Sequence, residues 1–332
     1  MKQHIPTLLS GAFRAFPLNL LIRLTDVRRV LPFYHAVADT ALPHLKHLYP
    51  VIPPAVFEKQ LDYLLKHYEP VSYEVLLDIN MSAKNQFILT FDDGLRQFHD
   101  LAAPILLRKG IPATCFLNTG FIDNKSMFYR LKVSLLIDRL QHTHNQLLEK
   151  EIKEACARYG ISYRQPGDLK KISDTEKALL DELQETNFED FLSREQPYMT
   201  TVQIQKLRQQ GFTFGAHSVS HPYYPLLSLS EQVKETLESV RTVKQNFSMN
   251  DGLFSFPYTD YEIGSSFFEA IQSEVQLSFG TANIKEDSIS TNYQRIPMEI
   301  PGIEKAEILL KKQYVQHLIK KAVGKSTIMR HE

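Results

Sequence analysis

Residues 87–98 read FILTFDDGLRQF, and the fold turns on how this stretch is understood. Five apolar or β-branched residues fit for a buried strand end on two adjacent carboxylates, Asp92 and Asp93, and then Gly94. Asp-Asp-Gly is good turn chemistry, because Asp and Gly tolerate the dihedrals that end a strand. Two acids at the C-terminal edge of a buried strand are also where parallel β/α architectures gather catalytic groups. Working outward, the strand QFILTF precedes a helix from about Asp100 to Lys109 that stops at Gly110. IPATCFLN follows as a second strand, and strand–helix–strand is the signature of a parallel sheet.

The pattern resumes further along. TTVQIQKLRQQ is a helix ended by Gly211, and FTFGA is a short strand. Ser228 and Glu231 form a capping box that opens a helix to about Phe247. GLFSF and VQLSFG (275–280) are strands, and a helix over 304–322 closes the fold. Upstream, PAVFEKQLDYLLKHY (54–68) is a helix with Pro54 in its first turn. Between the two β/α halves, at about 124–199, RLKVSLLIDRLQ and DTEKALLDELQE predict amphipathic helices, read as an insertion into one domain over 31–322. Residues 1–30 form an N-terminal helical segment, and 323–332 a C-terminal tail.

Composition narrows the function. The chain has 332 residues, and 38 Lys+Arg balance 38 Asp+Glu, which argues against a polyanion-binding surface and so against nucleic acid. Cys115 and Cys156 are far apart and imply no disulfide framework. Arg14, Pro17 and Arg23 interrupt the apolar N-terminus, so no run reaches the ~18 residues of a membrane span or forms the clean core of a signal peptide. A cytoplasmic location is expected. The N-terminal segment is left two roles, a helix docked on the domain or a peripheral contact with the inner membrane surface.

Two further clusters stand where an apolar strand gives way to a loop. FGAHSVSHPYY holds His217 and His221, which can meet one metal ion or can be two surface histidines beside a proline. Pro222 biases His221 away from helical dihedrals. FSFPYTD (254–260) alone says only that a strand ends. Taken together, one Asp and two His make a metal site with positions open to water and substrate, and a second carboxylate can act as base. Ser218 and Ser220 lack a paired base and are read as orienting the loop, while Tyr223 and Tyr224 either stack on a sugar or pack.

TFDDG (90–94), HSVSH (217–221) and FSFPY (254–258), in this order, resemble the NodB-homology polysaccharide deacetylases of carbohydrate esterase family four. FYHAV (33–37) and ATCFLNTGFI (113–122) are similar to further strands of that family, and the likeness covers about 31–122 and 200–300. The resemblance implies an α/β fold, a distorted (β/α) barrel of about seven parallel strands. It implies removal of N- or O-acetyl groups from a sugar or polysaccharide with a divalent metal, most commonly zinc. By position, Asp92 is implied as the base, Asp93, His217 and His221 as the metal ligands, and the Tyr258 backbone N–H as an oxyanion donor.

The chain departs from the family's pattern in three places. Ser255 stands where an arginine normally holds the base, and Arg295, in QRIPME, is the candidate replacement. No tryptophan is present. No Leu-x-His segment supplies a general acid near the end; His317 lies on an amphipathic helix and is read as a surface residue, leaving Glu299, Asp260 or His35 as donors. Three functions follow: a metal-dependent carbohydrate deacetylase, a glycan-binding pseudoenzyme that keeps the metal pocket, and another metal amidohydrolase. The oligomeric state is not legible.

Overall fold

A computed structural model describes residues 16–78, 83–143, 145–183 and 187–332. Strands β1 (Pro32–Tyr34), β2 (Leu89–Phe91), β3 (Ala113–Leu117), β4 (Thr213–Ala216), β5 (Leu253–Ser255), β6 (Leu277–Gly280), β7 (Asn292–Gln294) and β8 (Ile296–Pro297) form one sheet. Their spatial order is β7-β6-β5-β4-β3-β2-β1-β8, and every neighbouring pair is parallel. The two edges are joined in sequence, because only Arg295 separates β7 from β8. The Arg295 N–H donates to Gly280 O on β6 at 3.2 Å, and the Ile296 N–H donates to Leu31 O beside β1 at 2.8 Å. One extended segment thus serves both edges, and the sheet is a nearly closed, distorted barrel, as expected from the sequence.

Helices α1 (Leu18–Thr25), α2 (Pro54–His67) and α3 (Ala103–Lys109) precede the insertion. Gly110, at φ 65°, ends α3 in the left-handed conformation that glycine adopts without strain. Helices α4 (Tyr129–His142), α5 (Gln146–Arg158) and α6 (Phe188–Glu195) belong to the insertion. Helices α7 (Thr201–Gln209), α8 (Leu229–Phe247), α9 (Ser265–Ile271) and α10 (Ala306–Ala322) complete the outer layer. The capping box at Ser228 and Glu231 forms as expected, with the Ser228 N–H donating to Glu231 Oε2 at 2.8 Å.

Three expectations change. QFILTF is not one strand: Gln86–Phe87 pairs with Arg29–Val30 and Glu69–Pro70 in a separate small sheet, and only Leu89–Phe91 enters the barrel. DTEKALLDELQE is not a helix over its described part, which holds a short 3₁₀ turn at Lys177–Asp181. Leu179, Leu180 and Leu183 are all buried there; residues 184–186 lie outside the described set. Adjacent leucines that both face the core suit a tight turn better than an amphipathic stripe. Nor is 323–332 a free tail, since Thr327–Ile328 pairs in parallel with Glu286–Asp287. Within 1–30, α1 packs on α10 through Leu18, Leu21 and Ile22. No helix among the described residues is long and apolar enough to cross a membrane.

Period-two alternation along the strands sorts the core. Leu89, Phe91, Cys115, Leu117, Phe214, Ala216 and Phe254 face outward into one apolar cluster beneath the helices. Phe116, Leu253, Leu277 and Phe279 fill the lumen with Leu31 and Ile88. By the same alternation, Thr90 and Asp92, Gly215 and His217, and Leu253 and Ser255 point inward. In each pair the member nearer the C-terminal rim, Asp92, His217 or Ser255, is polar.

A methyl group on Gly215 would lie 2.6 Å from the Phe116 ring and 3.0 Å from Leu253 Cβ. Gly215→Ala is therefore expected to overpack the lumen by about 1–3 kcal/mol and lower the thermal midpoint. Adding Phe116→Leu should return part of that loss. A single variant as stable as wild type would contradict this lumen packing.

Candidate active site

Asp92 and Asp93 leave β2 in opposite directions. Asp92 continues the strand and faces the lumen, its N–H donating to Tyr34 O at 2.9 Å. Asp93 (φ 71°) and Gly94 (φ 64°) both take left-handed dihedrals, which reverse the chain at the rim. A side chain at Gly94 would meet Leu117 Cδ2 at 2.9 Å, a contact the end of that leucine can relieve, so the turn calls for glycine chiefly through φ.

The arginine absent from position 255 is supplied from the barrel seam. Arg295 is fully buried and grips Asp92 at two points, Nη1 to Oδ1 at 2.7 Å and Nη2 to Oδ2 at 2.7 Å. Nη2 also donates to Ser255 Oγ at 2.6 Å, Nη1 to Thr90 Oγ1 at 3.1 Å, and Nε to Gly280 O at 3.2 Å. The guanidinium lies 4.5 Å from the Phe33 ring centroid and 5.4 Å from that of Phe116. Burial is the largest effect and works to raise the Asp92 pKa, but the charge and hydrogen bonds of Arg295, with His217 and His35, together outweigh it and hold the carboxyl below the usual range.

Asp93, His217 and His221 converge, each offering one ligand atom within 4.8 Å of the others. His217 Nε2 is 3.5 Å and His221 Nε2 3.3 Å from Asp93 Oδ1. The His217 Nδ1–H donates to Ser255 O at 2.8 Å, which leaves the Nε2 lone pair for the centre. Burial lowers the His217 pKa to about 4, favouring the neutral, ligating form. Asp93 Oδ1 is buried without a hydrogen-bond partner, the condition that a cation relieves. Two imidazoles and a carboxylate are a donor set for zinc or a similar divalent ion, so the residues fit a metal.

The histidine loop is held from outside the ligands. His221 avoids right-handed helical dihedrals, but at φ 57° it is left-handed and not in the extended conformation that Pro222 favours; its N–H donates to Ser218 Oγ at 2.9 Å. Glu235 of α8 accepts from the N–H groups of Val219 and Ser220 at 2.9 and 3.0 Å, and from Ser220 Oγ at 2.9 Å. Both serines orient the loop. The Tyr49 hydroxyl donates to Asp93 Oδ2 at 3.1 Å, a contact sequence reasoning missed.

Tyr258 sits at the centre of a three-residue turn in which the Thr259 N–H donates to Pro257 O at 2.7 Å, with φ 59°. Its own N–H has no partner among the described residues. Its ring lies 4.8 Å from that of His221, and its hydroxyl accepts from Arg130 Nε at 2.7 Å.

The candidate acids separate cleanly. Asp260 is buried beneath the site and bound by Arg330, Asn292 and Gln294. Glu299 turns to His35, accepting from its N–H at 3.0 Å and contacting Nδ1 at 2.6 Å. His35 stacks on Tyr49 at 4.4 Å and lines the same cavity as Asp92 and Asp93. Burial is the largest effect and lowers its pKa, but the charge and hydrogen bond of Glu299, with the charges of Asp93 and Asp92, together outweigh it and raise the pKa to about 9. One reading is corrected: His317 is buried, with Nδ1 on Ile284 O at 2.8 Å. Of the two alternatives for Tyr224, packing holds, since it is a core residue among Phe254, Phe256 and Phe267.

A family profile described as polysaccharide deacetylase matches residues 80–266. The deacetylase PplD of Streptococcus pyogenes, solved with acetate, is similar in structure at a TM-score of 0.55 and 18% identity, over 86% of this chain and 98% of that one. IcaB from Ammonifex degensii gives 0.54 and 15%, over 86% and 96%. A de-N-acetylase from Aggregatibacter actinomycetemcomitans gives 0.52 and 12%, over 83% and 97%. At such identities the likeness shows the fold. A comparison with curated proteins returns no match.

The buried ion pair makes a stability prediction. Arg295→Met leaves the Asp92 carboxylate uncompensated and should cost about 3–5 kcal/mol in urea unfolding. Combining it with Asp92→Asn should cost less than Arg295→Met alone, because no buried charge then remains. Equal losses in the single and double variants would show that the pair does not couple.

Proposed function

This chain belongs to the polysaccharide deacetylase family, and we propose that it is a metal-dependent hydrolase removing an acetyl group from an N-acetylated or O-acetylated sugar or polysaccharide. The observation that carries this reading is one cavity of about 620 Å³ lined by Asp92, Asp93, His217, His221, His35 and Tyr258. Asp93, His217 and His221 would hold a divalent cation, zinc by the donor set, which when bound polarises the acetyl carbonyl and acidifies a water.

Asp92 accepts the proton of that water as its oxygen bonds to the carbonyl carbon. Arg295 and Ser255 fix the direction in which Asp92 presents its free lone pairs. The free N–H of Tyr258 donates to the carbonyl oxygen as it gains charge. When the C–N bond breaks, the nitrogen must leave as an amine, and His35 is the group that can protonate it. Glu299 supports that role by raising the imidazolium pKa and fixing the ring. Acetate and a free amino sugar result.

Chelated and reloaded protein should take up one divalent ion per chain by elemental analysis, and His217→Ala should lower that uptake. Asp92→Asn should keep the ion while losing acetate release. Equal release by wild type and Asp92→Asn across a panel of acetylated glycans would end the enzyme reading.

His35→Gln should lower kcat by ~10²–10⁴ with metal content intact. Because Glu299 raises the His35 pKa, Glu299→Gln should move the alkaline limb of the activity profile to lower pH. An alkaline limb unchanged in both variants would remove His35 from the acid's role.

A further inference from the structure

The wall of the cavity facing the proposed metal ligands is built by the insertion, and its charge is one-sided. Arg130 of α4 and Lys170 of the 3₁₀ turn Pro166–Lys171 line it, together with His47 from the segment between β1 and α2. The carboxylates of the site are already matched. Asp92 faces Arg295, Glu299 faces His35, and Asp93 faces the two ligand histidines. No carboxylate among the described residues pairs with Arg130 or Lys170 within 4.0 Å. Asp174, whose field reaches Arg130, accepts from the Tyr223 N–H at 3.1 Å and stands 3.5 Å from Lys177.

Arg130 is held by aromatic rings and a phenol. Its guanidinium carbon is 5.1 Å from the Tyr129 ring centroid and 5.5 Å from that of Tyr258, and among the described residues only Nε is spent, on the Tyr258 hydroxyl. Both Nη groups keep their hydrogens for a ligand. Arg130 also occupies the first turn of α4, a 14-residue helix with no acidic residue in that turn. A cation there is opposed by the helix dipole, and an anion bound at the same place would reverse the sign of that interaction. His47 Nε2, in the same wall, is buried without a partner. A local cost that faces a cavity and lacks an internal counter-charge is the pattern of a ligand site.

We propose that Arg130, Lys170 and His47 form an anion subsite, and that the substrate is an acetylated sugar carrying a phosphate or a carboxylate next to the acetylated position. The inference rests on the deacetylase reading for the acetyl group, but the anion subsite has its own readout. Tyr258 connects the two, with its ring on His221 and its hydroxyl on Arg130, so an anion at Arg130 lies one aromatic residue from the metal ligands. Phosphate and carboxylate both suit a guanidinium, which can meet either with two parallel hydrogen bonds.

The test compares three probes on metal-loaded protein: N-acetylglucosamine 1-phosphate, an N-acetylated amino uronic acid, and the neutral methyl glycoside of N-acetylglucosamine. Acetate release gives kcat/KM, and calorimetry gives binding without turnover. At least one anionic probe should be preferred roughly tenfold or more, as expected for hydrogen bonds to charged groups. Arg130→Gln and Lys170→Gln should each cut that preference, and added salt should shrink it. Preference for the phosphate alone, or for the carboxylate alone, supports the subsite and names the substituent. Equal kcat/KM and equal affinity for all three probes overturns it while leaving the hydrolase reading intact. Binding of an anionic probe that falls in Arg130→Gln, without acetate release from any probe, supports the subsite and overturns hydrolysis of these N-acetylated monosaccharides instead.

Discussion

The buried pair between Arg295 and Asp92 is the contact on which fold and site both depend. Arg295 lies at the single residue where the sheet passes from one edge to the other, so its backbone closes the barrel while its side chain reaches across the lumen. A guanidinium can be fully buried only if its donors and its charge are satisfied. Here Thr90, Asp92, Ser255 and Gly280 supply acceptors from three other segments, and Phe33 and Phe116 cover its faces. The seam is thus specified by chemistry as well as by strand pairing. The carboxylate that satisfies the arginine is the one placed beside the candidate metal ligands.

Around that pair, unusual backbone is concentrated at the rim. Asp93, Ser218, His221 and Tyr258 all adopt positive φ without being glycine. Such positions cost of order 1–3 kcal/mol each and persist where the surroundings over-determine them. The surroundings can be named. Thr119 donates to Ser218 O, Glu235 gathers the N–H groups of Val219 and Ser220, and Thr281 donates to Tyr258 O. Arg330, from the C-terminal segment, bonds both the carboxylate and the backbone carbonyl of Asp260, two residues beyond Tyr258. Residues far apart in sequence hold the turn that carries Tyr258.

Much of this was legible, and the limits have physical causes. Asp92, Asp93, His217 and His221 sit at ends of apolar strands, where period-two burial and turn chemistry leave a local signal. Arg295 could be singled out only through the resemblance, as the arginine able to replace the one missing at Ser255. Tyr49, Arg130, Glu235 and Arg330 left no such trace, because each acts through a tertiary contact that no local period encodes. His317 misled for a related reason: a histidine on an amphipathic helix looks solvent-facing until a carbonyl, here Ile284 O, accepts its proton inside. The 3₁₀ turn at Lys177–Asp181 misled because the sequence does not show that Leu179 and Leu180 are both buried, the feature that favours a tight turn over an amphipathic stripe.

The proposed chemistry carries a constraint that follows from the same ion pair. Arg295 fixes the direction of the Asp92 carboxylate, but it also lowers the carboxylate's basicity. A weakened base cannot take a proton from ordinary water at a useful rate, since proton transfer is efficient only when donor and acceptor affinities are close. Asp92 is therefore competent only toward a water that has itself been made acidic. The orphaned Asp93 Oδ1, the neutral His217 and the depressed Asp92 are then parts of one requirement. In the proposed reading, a barrel closed through a buried arginine would gain a well-oriented base at the expense of its strength, and a cation held by Asp93, His217 and His221 would supply what the base has lost.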